Sequence, residues 1–300
     1  MNKRAFTMAS ITIILWASSF AGIKASLLGG YSPTHLVLVR FLVASSIFII
    51  FGLLPNVHYR IPRKTDLGRI FLLGFLGITV YHSGLTFGVE TIPAGTAGMI
   101  VGAAPIFTAL IAVIFMKERL EWFSWVGLMI GFIGIILITI GSSGASFSFS
   151  GGAFFVIIAA ISTSAFFVLQ KPLFKHYKPI ELTAYFTWAG TIPLLLFMPG
   201  LWDNIQNATP TAHLSAIFVG VFPAAIAYTT WAIALSLGNA TKVSMMLYIE
   251  PAVAILIAWV WLNEWPETLS LIGGLIAISS VLIVNILGRR SRIKNKKYDG

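Results

Sequence analysis

One long uncharged stretch constrains the fold of this chain more than any other feature. Between Trp122 and Gln170 there is no Asp, Glu, Lys or Arg. About a quarter of the residues in a soluble domain are charged, so no soluble fold needs such a stretch. Two membrane spans joined by a polar loop account for it, because each span needs about 20 apolar residues. The chain is therefore predicted to be an all-α integral membrane protein.

Apolar runs of similar length recur along the chain and separate at charges and at Pro/Gly clusters. The 300 residues are 57% hydrophobic and 10% charged. The runs lack strand-like alternation, so we predict ten transmembrane helices. Their approximate bounds are 7–28, 34–54, 67–88, 94–116, 123–141, 151–170, 180–199, 213–236, 243–262 and 268–288.

The basic residues fall on one side of this predicted topology. Of the 20 Lys and Arg, all except Lys24 and Arg40 lie at the N-terminus, in alternate loops or in the C-terminal tail. Positive charge marks the cytoplasmic side, so both termini are predicted to be cytoplasmic, with the protein in the cell (inner) membrane. The net charge of +10 reflects this topology, and no nucleic-acid-binding motif accompanies it.

The two halves of the chain match at a constant offset of 146 residues. Matching pairs are Pro33 and Pro179, Gly74 and Gly220, Pro105 and Pro251, and Glu118 and Glu264. Each half holds five predicted spans, and this odd number turns the second half upside down. We predict two inverted repeats, 1–145 and 146–300, with a transport pathway at their interface. Some channels are also inverted repeats, so a passive channel stays open as an alternative.

Four motifs carry a family resemblance: Trp16-Ala-Ser-Ser-Phe20, Arg40-Phe41, Ala104-Pro105 through Lys117-Glu118-Arg119-Leu120, and Ile249-Glu250-Pro251-Ala252-Val253 through Leu262-Asn263-Glu264. With these motifs the chain resembles the EamA-type family of the drug/metabolite transporter superfamily. The resemblance implies that helices 1–4 and 6–9 surround a central cavity and that helices 5 and 10 lie outside it. It also implies export of amino acids, other metabolites or drugs.

Two charged residues within predicted spans are candidates for function, because a charge inside the bilayer costs about 2.5–3.5 kcal/mol or more. Glu250 has two interpretations: a proton carrier or counter-charge for a substrate amine, or a carboxylate paired with Arg40 or Lys24. Arg40 suits a substrate carboxylate through its bidentate fork, or else it forms that structural pair. The sequence leaves both interpretations open.

Aromatic residues on several spans are candidates for the cavity wall. Tyr228 and Trp231 are three residues apart and share a helix face, and Tyr248 lies two residues before Glu250. His82 follows Tyr81 and is interpreted as a proton relay or as a structural hydrogen-bonding residue. The full candidate set for substrate binding is Glu250, Arg40, Trp16, Tyr81, His82, Tyr228, Trp231 and Tyr248.

No Walker A, His-Glu-x-x-His or Gly-x-Ser-x-Gly motif occurs, so we expect neither an enzyme nor an ATP-driven pump. No cofactor or metal site is expected, and cysteine is absent. The predicted function is secondary transport: export of a small metabolite, an amino acid or similar amphiphile, by alternating access. A multidrug or organic-cation exporter is the alternative. The expected partners are a small-molecule substrate, the lipid bilayer and, as a coupling ion, protons; the oligomeric state is not specified.

Overall fold

The computed structural model describes residues 1–55, 57, 59–89, 100–143, 151–250, 252–253, 256–257 and 268–298. Within these residues the chain is helical and has no β-strand. In chain order the α-helices are α1 (Lys3–Leu28), α2 (Pro33–Gly52), α3 (Lys64–Gly74), α4 (Tyr81–Val89), α5 (Ala104–Met116), α6 (Trp122–Ser143), α7 (Gly151–Leu169), α8 (Pro179–Leu194), α9 (Leu201–Asn207), α10 (Pro210–Val219), α11 (Ala227–Leu237), α12 (Ala240–Ser244) and α13 (Thr268–Tyr298). Short 3₁₀ turns cover Lys171–Lys175, Leu195–Phe197 and Met245–Ile249.

Six helical stretches in the described part are long and apolar enough to cross a membrane. They are Lys3–Leu28, Pro33–Gly52, Lys64–Phe87, Phe154–Lys175, Pro179–Phe197 and Pro210–Leu237. Shorter apolar helices cover Ile100–Met116, Trp122–Leu137 and Leu271–Val284. Many of their large apolar side chains are exposed, as contact with lipid requires. The predicted all-helical class is confirmed for the described residues, and these apolar stretches support a membrane protein. The count of ten spans stays a prediction, because 94–99, much of 251–262 and the 145/146 boundary lie outside the described residues.

Local sequence signals set the connection between the first two helices. The Ser32 hydroxyl accepts a hydrogen bond from the backbone N–H of His35 at 3.3 Å and caps the start of α2. Pro33 occupies the first helical position, where its missing N–H removes no hydrogen bond. Gly30 precedes this cap with a φ of 108°, a left-handed conformation that glycine adopts at little cost. The chain therefore reverses within a few residues between α1 and α2.

Two π-helical turns interrupt long helices at corresponding positions in the two halves. Phe75–Val80 joins α3 to α4, and Gly220–Ile226 joins α10 to α11. Adding 146 to the residue numbers of the first turn gives 221–226, which lie within the second turn. Pro223 lies inside the second turn and lacks a backbone N–H, which favours a break in the regular α-helical pattern. Such π turns occur frequently at functional sites.

Gly74, which precedes the first turn, and Gly220, which begins the second, allow helices to approach closely. A Cβ on Gly74 would lie 2.6 Å from the backbone oxygen of Phe186, and one on Gly220 would lie 3.0 Å from the backbone oxygen of Arg40. Position 186 is 146 residues beyond position 40. The two contacts are therefore equivalent under the 146-residue offset, each joins one half of the chain to the other, and the second holds Gly220 against the backbone of Arg40.

Helices α6 and α13 pack along each other at the side of the bundle. Gly134 permits this, because a Cβ there would lie 2.7 Å from the nitrogen of Ala277 and 2.8 Å from the oxygen of Gly273. Among the described elements, the turn Met245–Ile249 is their main other neighbour. This arrangement agrees with the expectation that helices five and ten lie outside the central group.

Candidate functional site

Arg40 lies in the middle of α2 and is only 7% exposed. Its Nε has no hydrogen-bond partner, and within the described residues no carboxylate forms an ion pair with its guanidinium. The guanidinium carbon is 5.6 Å from the centroid of the Phe41 ring. A buried guanidinium is always charged and is costly unless it is paired. Arg40 is therefore suited to receive an anionic group.

His82 and Tyr228 form a hydrogen-bonded pair beside this arginine. The His82 Nε2 and the Tyr228 hydroxyl are 3.0 Å apart, and both residues are buried. The His82 ring also contacts the rings of Phe41 and Tyr81, with centroid distances of 4.7 Å in each case. The candidate residues Tyr81, His82 and Tyr228 therefore lie together, next to Phe41 and Arg40.

Glu250 follows the turn Met245–Ile249 and is partly exposed. Glu250 and Arg40 are the two charged residues of the candidate set. Both charged residues are described, and they form no ion pair with each other. The interpretation of a direct Arg40–Glu250 pair therefore does not hold in this conformation. The side chain of Lys24 lies outside the described residues.

Aromatic rings form one wall next to the His82–Tyr228 pair. The Trp16 ring centroid is 5.4 Å from that of Tyr228 and 5.3 Å from that of Trp231. The Trp16 Nε1 donates to the backbone oxygen of Pro223 at 3.1 Å, which ties α1 to the second π turn. Phe167 stacks against Trp16 at a centroid distance of 6.3 Å. The candidate residues Trp16, Tyr228 and Trp231 thus lie next to one another.

Tyr248 does not join this group, contrary to the prediction. It is fully buried, and its hydroxyl donates to the backbone oxygen of Leu128 in α6 at 3.0 Å. Its ring packs against Gly131, where a Cβ would collide with it. Positions two residues apart face nearly opposite sides of a helix. Tyr248 and Glu250 therefore diverge, and Tyr248 anchors its segment to α6.

The sequence analysis missed a narrow crevice on the other side of Tyr228. Ile78, Phe166, Gln170, Thr183, Phe186, Thr187, Tyr228 and Trp231 line it, and it is too narrow for a water molecule. Gln170 is 1% exposed, and its Nε2 has no hydrogen-bond partner. The repeat offset provides a signal for it, because position 170 corresponds to position 24, the site of Lys24.

Glu118 ties together three segments at the end of the bundle that carries Lys3, Lys117, Lys171 and Lys242, here called the basic end. Its carboxylate accepts from the Ala240 N–H at 3.1 Å and from the Thr241 hydroxyl at 3.2 Å. The Lys171 ammonium lies 3.5 Å from Glu118 Oε1 and donates to the Gly238 oxygen at 2.6 Å. We call these contacts the Glu118 cluster; it joins the end of α5 to the start of α12.

Comparison with known families identifies the class of protein. The profile of the EamA-like transporter family matches twice, over residues 3–140 and 150–286. The chain belongs to this family. The resemblance inferred from the motifs is confirmed, and membership in the EamA-like family places the protein among multi-pass membrane transporters of small molecules. This family assignment points away from an enzyme.

Individual relatives of the EamA-like family match over most of the chain. The "Uncharacterized transporter YdfC" of Bacillus subtilis is 40% identical over 91% of this chain and 88% of its own length. The "Probable terminal-alkyne amino-acid exporter" of Streptantibioticus cattleyicolor is 34% identical over 93% of each chain. A solved crystal structure matches with a TM-score of 0.80 over 97% of this chain and 99% of that chain; at 20% identity this likeness shows the fold alone.

Proposed function

We propose that this protein is a secondary transporter that exports an amino acid or similar zwitterionic amphiphile across the cell membrane by alternating access. In this proposal ten transmembrane helices form two inverted repeats, residues 1–145 and 146–300, and both termini are cytoplasmic. The substrate carboxylate binds Arg40, its ammonium group faces Glu250, and its apolar side chain lies against the aromatic wall formed by Trp16, Tyr228 and Trp231.

Contacts between residues 146 positions apart support the repeat. Two side-chain hydrogen bonds join such residues: His82 with Tyr228 at 3.0 Å, and Ser45 with Thr191 at 3.0 Å. Residues related by a two-fold axis touch each other only close to that axis. The two matches of the family profile, one in each half, give independent support. An axis in the membrane plane relates two equivalent gates, one on each side.

The observation that carries the proposal is the unpaired guanidinium of Arg40. A substrate carboxylate supplies the missing partner through two parallel charge-assisted hydrogen bonds. Glu250 forms no ion pair with Arg40, so in this proposal its carboxylate stays available for the ammonium group of a zwitterion. A permanent organic cation would meet the uncompensated charge of Arg40 instead. The geometry thus favours an amino acid over the cation alternative.

One of the relatives named above supports this assignment. One relative is named a probable amino-acid exporter, and it is 34% identical to this chain. Its named substrate carries a carboxylate and an ammonium group, the two groups that the Arg40 and Glu250 charges would bind. The other relative named above, YdfC, is a transporter without a stated substrate.

The test is uptake of radiolabelled L-phenylalanine by everted membrane vesicles, which expose the cytoplasmic face to the medium. Arg40→Gln should lower kcat/KM by about tenfold or more, since a hydrogen bond to a charged group contributes about 1.5–3 kcal/mol. Glu250→Gln should also abolish most transport, because it removes the counter-charge and keeps the shape. Arg63→Gln is the control, because the Arg63 side chain is exposed outside the bundle.

Three outcomes would contradict the proposal in different ways. Resistance of producing cells to permanent organic cations without amino-acid transport would favour the multidrug alternative. Transport without stimulation by substrate on the opposite side would indicate a channel. Full activity in the Arg40→Gln, Glu250→Gln double variant, with both single variants inactive, would show that the two residues form a structural pair in another conformation.

A further inference from the structure

The crevice beyond Tyr228 contains two buried N–H donors that have no hydrogen-bond partner among the residues that the structure describes. Gln170 Nε2 and Trp231 Nε1 both lack a hydrogen-bond acceptor, and both residues are only 1% exposed. They belong to different helical segments, yet both line the same crevice. A buried donor without an acceptor costs about 1–3 kcal/mol. Two such groups at one place indicate a site shaped for a group that accepts hydrogen bonds.

The other residues that line the crevice indicate which kind of ligand it could bind. Thr183 and Thr187 add hydroxyl groups, and the Thr183 hydroxyl donates to the backbone oxygen of Pro179 at 2.9 Å. The rings of Phe166 and Trp231 supply apolar faces. None of the described lining residues is charged. The crevice therefore has no carboxylate that would repel an anion, and it binds an anion less firmly than a guanidinium would. A carboxylate attached to an apolar group fits these properties.

The position of the crevice relates it to the Arg40 site. Subtracting 146 from Phe186, Thr187 and Tyr228 gives positions 40, 41 and 82, the residues Arg40, Phe41 and His82. The crevice and the Arg40 site therefore lie on opposite sides of the His82–Tyr228 hydrogen bond. Gln170 directly precedes Lys171 of the Glu118 cluster, so the crevice lies toward the basic end.

We propose that this crevice is a second substrate subsite, which binds the carboxylate of an amino acid through Gln170 and Trp231 when the basic end is open. This inference rests on the proposed amino-acid transport. The neutral subsite receives substrate from the cytoplasm, and the guanidinium of Arg40 receives the same carboxylate next. In the conformation described here, the crevice must widen before it can admit a substrate.

The test compares Gln170→Leu with Gln206→Leu, because the chain contains two glutamines and Gln206 is exposed on α9. In everted vesicles, Gln170→Leu should raise the KM for L-phenylalanine by roughly tenfold or more, as loss of a hydrogen bond to a charged group does. In right-side-out vesicles, which present the opposite face, the KM should change less than about twofold. Gln206→Leu should leave both values unchanged.

Thermal unfolding of the substrate-free protein separates this role from a structural one. Gln170→Leu replaces an unpaired buried amide by an apolar group of similar size, so its Tm should equal or exceed that of the wild type. A lower Tm together with an equal loss of transport from both faces would overturn the inference and make Gln170 a packing residue. An unchanged KM in an active Gln170→Leu variant would also overturn it. A wild type that transports no amino acid would overturn the proposed function, and this subsite with it.

Discussion

In the proposed transport cycle, the contacts of the Glu118 cluster hold the basic end closed, and their strength determines how rarely it opens. Glu118 is 11% exposed and accepts hydrogen bonds from the Ala240 N–H, the Thr241 hydroxyl and the Lys171 ammonium. The bond to Ala240 caps a helix start and contributes about 1 kcal/mol. The hydroxyl bond to a charged acceptor contributes about 1.5–3 kcal/mol. The Lys171 pair adds less than about 1 kcal/mol, because its length is 3.5 Å and Lys171 is 20% exposed.

These contributions total about 3 kcal/mol in favour of the closed basic end. Loss of all three contacts in Glu118→Ala should therefore raise the open population about 100-fold, as long as the open state stays the minor one. Glu118→Gln keeps an acceptor oxygen but loses the charge, so its effect should be about tenfold. The open population should therefore be largest in Glu118→Ala, smaller in Glu118→Gln and smallest in the wild type.

The rate of cysteine modification measures this opening. The chain has no cysteine, so Thr187→Cys introduces a single thiol at a buried position in the crevice. A membrane-impermeant thiol reagent added to everted vesicles should modify it at a rate proportional to the open fraction. Asp203→Ala, which removes an exposed acid from α9, is the matched control and should leave the rate unchanged. Equal rates, within twofold, in the Glu118→Ala and wild-type backgrounds would refute the reasoning.

Two further predictions concern helix packing and topology. Gly220→Ala places a Cβ 3.0 Å from the backbone oxygen of Arg40, so we expect a lower Tm and at least tenfold weaker transport. Gly68→Ala is the control: its Cβ would meet no atom within 4 Å, so both the Tm and the transport rate should stay unchanged. Transport at wild-type level in Gly220→Ala would contradict this close contact. A cysteine at Asn207 should react with impermeant reagent on intact cells and one at Lys175 should not, and labelling of the Lys175 position would contradict the predicted orientation.

The sequence predicted the class and the family because those depend on patterns that are local in the chain. The charge-free stretch from Trp122 to Gln170 and the motif Trp16-Ala-Ser-Ser-Phe20 need no knowledge of tertiary contacts. Arg40, His82 and Tyr228 were among the candidates from the sequence, because charged and polar residues within spans must face the interior of the bundle. Such residues converge wherever the helices surround one cavity.

Tyr248 and Gln170 show where this reasoning fails. Tyr248 was assigned to the cavity because it lies close to Glu250 in sequence, but residues two positions apart face opposite sides of a helix. Gln170 lies at the end of a span, where a polar residue is ordinary. Its importance comes from the missing partner of its amide, and that depends on how α7, α8 and α11 pack together. Hydrogen-bond satisfaction is a tertiary property that composition and spacing do not encode.

The His82–Tyr228 hydrogen bond gives the proposed transport cycle a fixed reference point. Its two residues occupy corresponding positions in the halves, so rocking of one half against the other displaces this contact less than it displaces the ends. Arg40 adjoins the contact through Phe41, whose ring lies 4.7 Å from that of His82. A change at Arg40 should therefore impair transport equally from both faces, whereas Gln170 lies toward one end and should affect one face. Equal loss of transport from both faces would indicate a residue close to the two-fold axis, such as Arg40. Loss from one face alone would indicate a residue on the path to that site, such as Gln170.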